Sequence, residues 1–497
     1  MEQILSIIVF LPLLMALLFG LIPIPFKVLR VGAIISSLVV FALVISVAMD
    51  YDPNGGVQFI RLLPWIENYG ISYFLGLDAI SLVMLLLISF LMPILYIYMW
   101  HEDRKGYWYN MMLLQSGVTG AVLALDLILF YIFWEMMLLP IFIMIGRYGS
   151  GNRQYNASKL LLMTVLGSMS MLFSILYLGY THYELTGIWS YALTDLTSIN
   201  LDETTMTLLS MGFLLAFIIK IPLLGFHTWM APAYGSSPTP AVVILSSIMA
   251  KLGIYGLWRF GYGLFEDTLL HYANILILLS LVGLVYYAVR AITEENLRRM
   301  FAFASASHLS LIAVGLFLTN IYAWSGSLYF IATHALSSAG MFLMIGLIYK
   351  RAKTLEVDSL GGIASKAPKF AFFFVFFALS TAGLPSTGGF VSELLIIIGA
   401  FKNSMIFGIF TSTTMLMAML YIFWMLQRVI FGSTSPQTEN FTDLTKREII
   451  MLFPIMLLLL ITGLAPSLFI PTIEPQLTNM LTWILDGSTT ITTVGGL

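Results

Sequence analysis

The chain has 497 residues, of which 59% are hydrophobic and 10% are charged. Soluble domains average about 45–50% apolar and about 25% charged residues, so this composition excludes a soluble globular protein. Cysteine is absent and the net charge is −2, which excludes disulfides, thiolate-bound zinc or iron–sulfur clusters, and a basic surface for nucleic acid.

Long apolar runs dominate the chain. A helix that spans a bilayer needs about 20 mostly apolar residues, and we predict an all-α, polytopic membrane protein with 14 transmembrane helices. The first run is read as a retained helix because Glu2 precedes it and no small-residue cleavage site follows. The predicted segments are 4–25, 28–49, 78–100, 107–125, 127–147, 156–180, 206–229, 240–262, 268–290, 299–319, 322–349, 370–401, 405–431 and 447–470.

Lysine and arginine are unevenly divided between the predicted loops. Loops after odd-numbered segments hold 18 of the 23, whereas loops on the other side hold three, Arg61, Arg259 and Lys402. Positively charged loops stay on the cytoplasmic side. We therefore expect a multi-pass protein of the cell inner (plasma) membrane with both termini on the non-cytoplasmic side. The tract 50–77, with a tight turn at its start, the loop 182–205 and a short helix at 474–486 are expected outside.

Segments 7 and 12 are interrupted in corresponding ways. Segment 7 contains Pro222 followed by Gly225, and segment 12 contains Pro385 followed by Gly388. Because these sites lie five segments apart, they predict an inverted five-helix repeat with two broken helices, although proline and glycine kinks alone are common in membrane helices. The expected divisions are 1–100 (helices 1–3 and an outer loop), 107–262 (first repeat, segments 4–8), 268–431 (second repeat, segments 9–13) and 432–497 (helix 14 and an outer tail).

Four ionisable residues lie inside the predicted spans: Glu135, Lys220, Lys251 and Glu393. A charge at the centre of a spanning helix costs about 2.5–3.5 kcal/mol on insertion scales, so each one requires a reason. They could form ion pairs that hold helices together, but a buried pair seldom recovers its desolvation cost. They could instead transfer protons, because the proton affinity of a buried group depends on its neighbour's charge.

Two histidines, His308 in segment 10 and His334 in segment 11, are expected to be buried among small residues. An unperturbed imidazole titrates near about 6.5, which suits a relay step between the lysines and Glu393. The alternatives are an interhelical hydrogen bond or haem ligation, although no further histidine pair or haem motif supports the latter. No nucleotide-binding glycine motif and no metal-ligand spacing is found, so we expect no cofactor and no metal in this chain.

These features resemble the antiporter-like subunits of respiratory complex I, most closely the M type. The resemblance covers segments 3 to 13, and its most specific parts are residues 133–140, 251–256, 305–308 and 383–393. Leu138-Leu139-Pro140 after Glu135, and a glutamate at 393, are similar to the M type rather than to the L and N types or the related Mrp and membrane-hydrogenase subunits.

The resemblance implies a proton-translocating membrane-arm subunit of a redox-driven NADH:quinone oxidoreductase. Such a chain has no redox site of its own, lies in the lipid bilayer and has L-type and N-type neighbours. The proton-transfer residues it implies are Glu135 and Lys220 as the coupled pair of the first half-channel, Lys251 as central relay, His308 and His334 as intermediate steps, and Glu393 as terminal site of the second half-channel.

One position departs from the family pattern. After the broken helix, the family usually reads His-x-Trp-Leu-Pro-x-Ala-His, whereas here the run begins at His227 and ends at Tyr234. Tyrosine therefore replaces the second histidine. The alternative functions are an Mrp-type cation/proton antiporter or a membrane-hydrogenase antiporter-like subunit, and a third is a structural membrane scaffold.

Overall fold

The computed structural model describes residues 3–199 and 201–486 and is mostly helical. The α-helices in chain order are α1 Ile4–Leu21, α2 Phe26–Met49, α3 Ala79–Tyr98, α4 Lys105–Leu123, α5 Leu127–Met136, α6 Leu138–Tyr148, α7 Arg153–Thr186, α8 Leu193–Leu196, α9 Glu203–Lys220, α10 Met230–Ser236, α11 Thr239–Ile244, α12 Ala250–Gly256, α13 Tyr262–Thr293, α14 Leu297–Phe317, α15 Ile321–Ala352, α16 Ile363–Lys366, α17 Pro368–Thr381, α18 Gly388–Asn403, α19 Met405–Met425, α20 Lys446–Leu464 and α21 Ile470–Asp486.

Among the described residues, 11 helical stretches are long and apolar enough to cross a membrane. Predicted segments 8 and 9 form one continuous stretch, Thr239–Thr293, with non-helical backbone at Phe265. Predicted segment 12 is divided into α17 and α18 by its break, so neither part reaches the length of a span. These two cases account for two of the three segments by which the counts of 11 and 14 differ. The third is predicted segment 4, because α4 is a continuous helix but is not among the stretches that are apolar enough to span.

A β-hairpin lies in the tract 50–77, which the expectation of an all-α fold did not include. Strands β1 (Gln58–Ile66) and β2 (Ile71–Leu77) pair antiparallel. The predicted tight turn precedes them, because the Gly55 N–H donates to the Asp52 carbonyl at 3.0 Å. The hairpin escapes a search for apolar runs because two short strands pair across a turn and neither is long enough to span a membrane.

Three helices are broken near the middle of the bundle. α9 ends at Lys220, and the chain re-enters a helix only at Met230. α17 ends at Thr381, and Gly383 takes a positive φ of 79° before α18 begins. The third break, between α5 and α6, was not expected. It follows from Pro140, which has no N–H to donate to the carbonyl four residues earlier.

The carbonyls freed at the first break are capped by aromatic side chains. The Tyr287 hydroxyl donates to the Pro222 carbonyl at 2.8 Å, and the Trp229 indole donates to the Ile219 carbonyl at 3.1 Å. Since an unpaired carbonyl in a membrane interior costs several kcal/mol, these two bonds allow the chain to leave the helix without that penalty.

The lysine- and arginine-rich loops lie together at one end of the bundle, which we call the basic end. Contacts between distant loops establish this grouping. They are Arg30 with Asp103, Lys105 with the Ile24 carbonyl, His101 with Arg447, Asn296 with Glu356, Arg428 with Asp358 and Arg351 with Glu448. The uneven charge distribution in the sequence therefore corresponds to a charged end of the folded chain.

The centre of the bundle is formed by α14 and α15 together with the stretch that contains α12. Nearly every residue of α14 and α15 is buried. α15 packs against α18, α17 and α20, while α14 packs against α13. Polar side chains on these central helices are therefore shielded from lipid on all sides by other helices of the same chain.

The buried helix cap Asp126 provides a test of the fold. Asp126 accepts hydrogen bonds from the backbone of Ile128 and Leu129 and from the backbone and hydroxyl of Ser72, at 2.9–3.0 Å. Asp126→Ala should lower the free energy of unfolding by about 3 kcal/mol, because it removes a cap and leaves buried donors unpaired. The matched control Asp202→Ala removes an exposed cap of α9 and should cost about 1 kcal/mol. Unfolding in detergent measures both, and equal losses would contradict the role of Asp126.

Candidate functional site

Lys251 lies at the centre of the bundle between two π-helical turns. These turns, Leu245–Met249 and Leu257–Gly261, flank α12. Lys251 is fully buried, and its ammonium donates a hydrogen bond to the backbone carbonyl of Ser246 inside the first turn. π-Helical turns are rare and often lie at functional sites. The first π-helical turn provides a carbonyl acceptor for the Lys251 ammonium, but it contains no acidic residue to balance the charge.

Serine hydroxyls connect this region to the two central helices. The Ser246 hydroxyl is hydrogen-bonded to the Ser338 hydroxyl of α15 and lies 3.1 Å from the Ser305 hydroxyl of α14. Ser305 and Ser338 stand one turn from His308 and His334, respectively. Small polar residues allow the helices to approach closely, so the lysine and the histidines share one polar interior.

His308, His334 and Glu393 form the second part of the site. The two imidazole rings lie 5.2 Å apart between centroids and are nearly perpendicular, at 87°. The Nε2 atom of His308 lies 3.9 Å from Oε1 of Glu393, too far for a direct hydrogen bond. Within the described chain, neither His308 nitrogen and neither Glu393 oxygen has a hydrogen-bond partner. These groups are therefore buried with unused hydrogen-bonding capacity.

The second broken helix determines the surroundings of Glu393. Gly383, at the break, approaches the carboxylate so closely that a Cβ there would lie 3.3 Å from Oε2. Its positive φ is a conformation that glycine adopts without steric cost. The break between α17 and α18 thus places backbone beside a buried acid.

Glu135 and Lys220 form a separate group. Lys220 is buried at the end of α9, and its ammonium lies 4.5 Å from the centroid of the Trp134 ring. Glu135 is only half-buried. No ion pair within 4.0 Å joins them in the described residues, where the Lys220 ammonium and Oε1 of Glu135 have no hydrogen-bond partner. Any coupling between the two charges therefore acts through space and not by contact.

A small cavity of about 10 Å³ adjoins Lys220. That volume corresponds to about one water molecule. Apart from Lys220, its walls are Leu138, Leu160, Thr164, Trp229, Leu245, Met249 and Ala250. The surroundings of this lysine are thus tight and largely apolar, and the ammonium has no hydrogen-bond partner among the described residues.

A further buried ion pair, Asp78 with Arg259, was not expected. The Arg259 guanidinium lies 2.6 Å from an Asp78 oxygen, and both side chains are buried. The assignment of Arg259 to an outer loop is therefore wrong, because it lies inside the second π-helical turn. One signal was available, since Arg259 falls within the apolar run 240–262 and lies eight residues, or about two helical turns, after Lys251.

Neighbouring side chains and backbone groups form hydrogen bonds with both residues of this pair. Arg259 donates to the Ser81 hydroxyl at 2.8 Å and to the Tyr255 hydroxyl at 3.3 Å. Asp78 accepts from the Ser81 backbone at 2.9 Å and from the Gln476 amide. Because these donors and acceptors are occupied, the pair ties the start of α3, the second π-helical turn and α21 together as a structural lock.

Tyr234, which stands where the family has histidine, is fully buried in α10. Its ring packs edge-on against Trp229 and Phe342, with centroids 6.5 and 5.9 Å away. Its hydroxyl has no hydrogen-bond partner within residues 3–199 and 201–486. The same residues contain no group of three or more histidines or acids able to hold a metal ion.

Comparison with known sequences identifies one family and relatives that belong to it. A sequence model for the family described as "NADH:quinone oxidoreductase/Mrp antiporter, TM" matches residues 124–418, a range that includes all six candidate residues. The NADH-quinone oxidoreductase subunit M of Rhodobacter capsulatus is 31% identical, over 97% of this chain and 97% of that protein. The NADH-ubiquinone oxidoreductase chain 4 of Marchantia polymorpha is 31% identical, over 96% and 97%.

Known structures have the same fold. A chain of respiratory complex I from Thermus thermophilus with bound NADH aligns with a TM-score of 0.88 and 26% identity, covering 97% of this chain and 99% of that one. A chain of the Mrp complex from Dietzia sp. aligns with a TM-score of 0.85 and 20% identity, covering 99% of each chain. At 20% identity, the second match shows the shared fold alone.

The Asp78–Arg259 lock can be tested by a double-mutant cycle. Asp78→Asn and Arg259→Gln should each lower the free energy of unfolding by about 3–5 kcal/mol, because each leaves a buried charge uncompensated. The double variant should lose less than the sum, with a coupling of about 1–3 kcal/mol.

The exposed pair Arg428–Asp358, at 2.9 Å, serves as the matched control for this cycle. Because water screens it, the same substitutions there should cost at most about 1 kcal/mol. Chemical unfolding in detergent measures both cycles. Strictly additive losses at Asp78 and Arg259 would show that the two charges do not stabilise each other.

Proposed function

This chain belongs to the NADH:quinone oxidoreductase/Mrp antiporter transmembrane family, and from that membership we propose that it moves protons across the membrane as a membrane-arm subunit of a complex I-type quinone oxidoreductase. The observation that carries the proposal is the buried group of Lys251, His308, His334 and Glu393. Three of these residues, His308, His334 and Glu393, have ring nitrogens or carboxylate oxygens without a hydrogen-bond partner among the described residues, yet all four are buried at the centre of the bundle. Ionisable groups in a membrane interior are costly, and functional use is the usual reason that they persist.

In this mechanism only protons move through the chain. A proton on Lys251 passes to His334 and His308 and then to Glu393, from which it leaves. The Ser246, Ser305 and Ser338 hydroxyls link the surroundings of Lys251 to the helices of both histidines, and an edge-to-face ring contact joins the two imidazoles. The 3.9 Å gap between His308 and Glu393 is short enough for one small side-chain movement or one bridging water.

Glu135 and Lys220 control this relay in our proposal. Glu135 is half-buried at the surface of the chain, where a neighbouring subunit can change its surroundings, and its charge acts on Lys220. Pumping one proton against 100 mV requires about 2.3 kcal/mol. A change of about two pKa units, at about 1.36 kcal/mol each, supplies that amount.

The finer architecture is also part of the proposal. We propose 14 membrane crossings, with segments 4–8 and 9–13 as inverted repeats around the two broken helices and the flanking divisions 1–100 and 432–497. The corresponding breaks after Lys220 and after Thr381 support the repeat. We further propose that the basic end faces the cytoplasm of a cell whose inner membrane holds the chain, with both termini outside and L-type and N-type subunits as neighbours.

Neutralising the relay tests the proposed function. Lys251→Met and Glu393→Gln should each reduce proton translocation at least tenfold in vesicles energised with NADH, because neither new side chain binds a proton. The matched controls are Lys402→Met and Glu203→Gln, which alter partly or fully exposed groups and should keep translocation near the unsubstituted level. Native gels confirm assembly, and normal translocation by both relay variants would rule out the proposed path.

A second test concerns the control pair and the competing functions. The double variant Glu135→Gln/Lys220→Met should also lose translocation, whereas a structural scaffold predicts that transport stays intact. Vesicles that contain this chain without redox partners distinguish the antiporter alternative. Sodium-dependent proton flux there would favour an Mrp-type antiporter, and its absence, together with NADH-driven flux in the complex, favours the redox-driven pump.

A further inference from the structure

A cavity of about 400 Å³ lies at the basic end of the bundle. Its walls include Tyr98, the last residue of α3, Arg298 in the first turn of α14 and Lys350 in the last turn of α15. Each of these helices belongs to a stretch that is long and apolar enough to cross a membrane. The cavity therefore lies at the ends of spanning helices, which is the level at which the polar headgroups of a bilayer begin.

Two of the charged residues that line this cavity balance each other. The Nε and Nη2 atoms of Arg104 each donate to a carboxylate oxygen of Glu102, at 2.6 Å. Burial acts to raise the pKa of Glu102, but the hydrogen bonds from Arg104 outweigh it and hold the pKa below its ordinary value. Glu102 is thus ionised at neutral pH, and Arg104 balances its charge.

The other two charged residues of the wall, Arg298 and Lys350, form no ion pair within the described part of the chain. The acids that form ion pairs at the basic end contact other arginines. These pairs are Arg30–Asp103, Arg104–Glu102, Arg290–Glu294, Arg299–Glu294, Arg351–Glu448 and Arg428–Asp358. The cavity wall therefore carries two positive charges that no carboxylate of the chain contacts.

Arg298 is the stronger indication of a ligand, because it is only 4% exposed. Arginine is almost never buried to this extent unless its charge is paired. Its Nη1 atom donates to the Gly235 and Ser237 carbonyls, at 3.3 and 2.8 Å, and its Cζ atom lies 5.7 Å from the centroid of the Tyr349 ring. These contacts position the side chain, but both hydrogen bonds come from Nη1. The guanidinium therefore keeps N–H donors for an anion in the cavity.

Lys350 supplies the second positive charge. It is exposed, and its ammonium lies 3.6 Å from the centroid of the Tyr98 ring. The face of an aromatic ring attracts a cation but carries no net charge that would cancel it. Ser150, Tyr107 and Tyr148 line the same cavity, and their hydroxyl groups are able to donate hydrogen bonds to an anion.

We propose that this cavity binds a phosphate group, held by Arg298 and Lys350 and supplied by an anionic phospholipid or by a free phosphate ion. A guanidinium binds phosphate through parallel hydrogen bonds, and an ammonium binds it as a point charge. Basic pockets between membrane helices bind phospholipid headgroups. The volume of about 400 Å³ also lies within the range of about 300–1,000 Å³ that is typical of small-molecule sites. This inference is independent of the proton relay.

Because the chain contains no cysteine, a single cysteine reports whether the cavity is occupied. Ser150→Cys, at an exposed position of the cavity wall, is introduced into the complete complex. The complex is placed in nanodiscs of phosphatidylcholine, with or without phosphatidylglycerol. The reaction of the new cysteine with a charged thiol reagent is followed by mass spectrometry of this chain. We expect phosphatidylglycerol to slow the reaction about fivefold, the protection given by a ligand at about four times its dissociation constant.

A second arm tests the free ion. Inorganic phosphate at millimolar concentration is added to the phosphatidylcholine nanodiscs, and chloride at equal ionic strength serves as the blank. The matched control for both arms is Ser365→Cys, on helix α16 at the basic end and outside the cavity. Its reaction rate measures how membrane charge and salt affect the reagent, so the ratio of the two rates isolates protection within the cavity.

Charge-neutralising variants identify the groups that hold the phosphate. In the Ser150→Cys chain, Arg298→Gln and Lys350→Met should each reduce the protection to less than about twofold, whereas Arg298→Lys and Lys350→Arg should retain most of it because the charge remains. Lys366→Met, which neutralises an exposed lysine outside the cavity, should leave the protection unchanged. If Arg298→Gln prevents assembly, Lys350→Met alone decides.

The two arms also identify the source of the phosphate. Protection by phosphatidylglycerol alone assigns the site to a phospholipid headgroup, and protection by inorganic phosphate assigns it to a free ion. Either result supports the inference. Protection in neither arm, or protection that persists in both Arg298→Gln and Lys350→Met, would overturn it. Proton translocation is not the readout, so failure of the proposed relay leaves this test unaffected.

Discussion

The cost of placing a charge away from water governs this structure, and the buried ionisable groups meet it in two different ways. Asp78 and Arg259 are in contact and surrounded by hydrogen-bond partners, so their charges are compensated within the fold. Lys251 has a carbonyl, whereas His308 and Glu393 have no hydrogen-bond partner among the described residues. The compensated pair stabilises a fixed arrangement, and in the proposed function the uncompensated groups are those whose proton content changes.

Interruptions of the helices lie beside the buried ionisable groups that have no compensating charge. α9 ends at Lys220, the break before α18 places Gly383 against Glu393, and π-helical turns lie on both sides of α12. At each place, backbone groups leave the regular helical pattern and become available to a side chain or require a cap. Aromatic side chains such as Tyr287 and Trp229 supply these caps, so the irregular backbone is stable in a membrane interior.

Separating control from conduction has a physical advantage for a pump. In the proposed function, a neighbouring subunit alters the surroundings of the half-buried Glu135, and the charge of Glu135 acts on Lys220 without contact. A charge can act across a dry, apolar region because a low dielectric transmits its field, whereas a proton needs a hydrated path. The tight, largely apolar pocket around Lys220 fits the first of these requirements.

The sequence by itself determined the membrane-spanning character, the positions of most helices, two of the three helix breaks and the six candidate residues. Each of these follows from local features: an apolar run of sufficient length, a proline, or a charge within such a run. Only the tertiary structure decided that Glu135 and Lys220 do not touch, that His308 faces Glu393, and that Arg259 binds Asp78. Those relations join residues from helices far apart in the chain, and only the packing of the whole bundle determines which of the available polar groups meet.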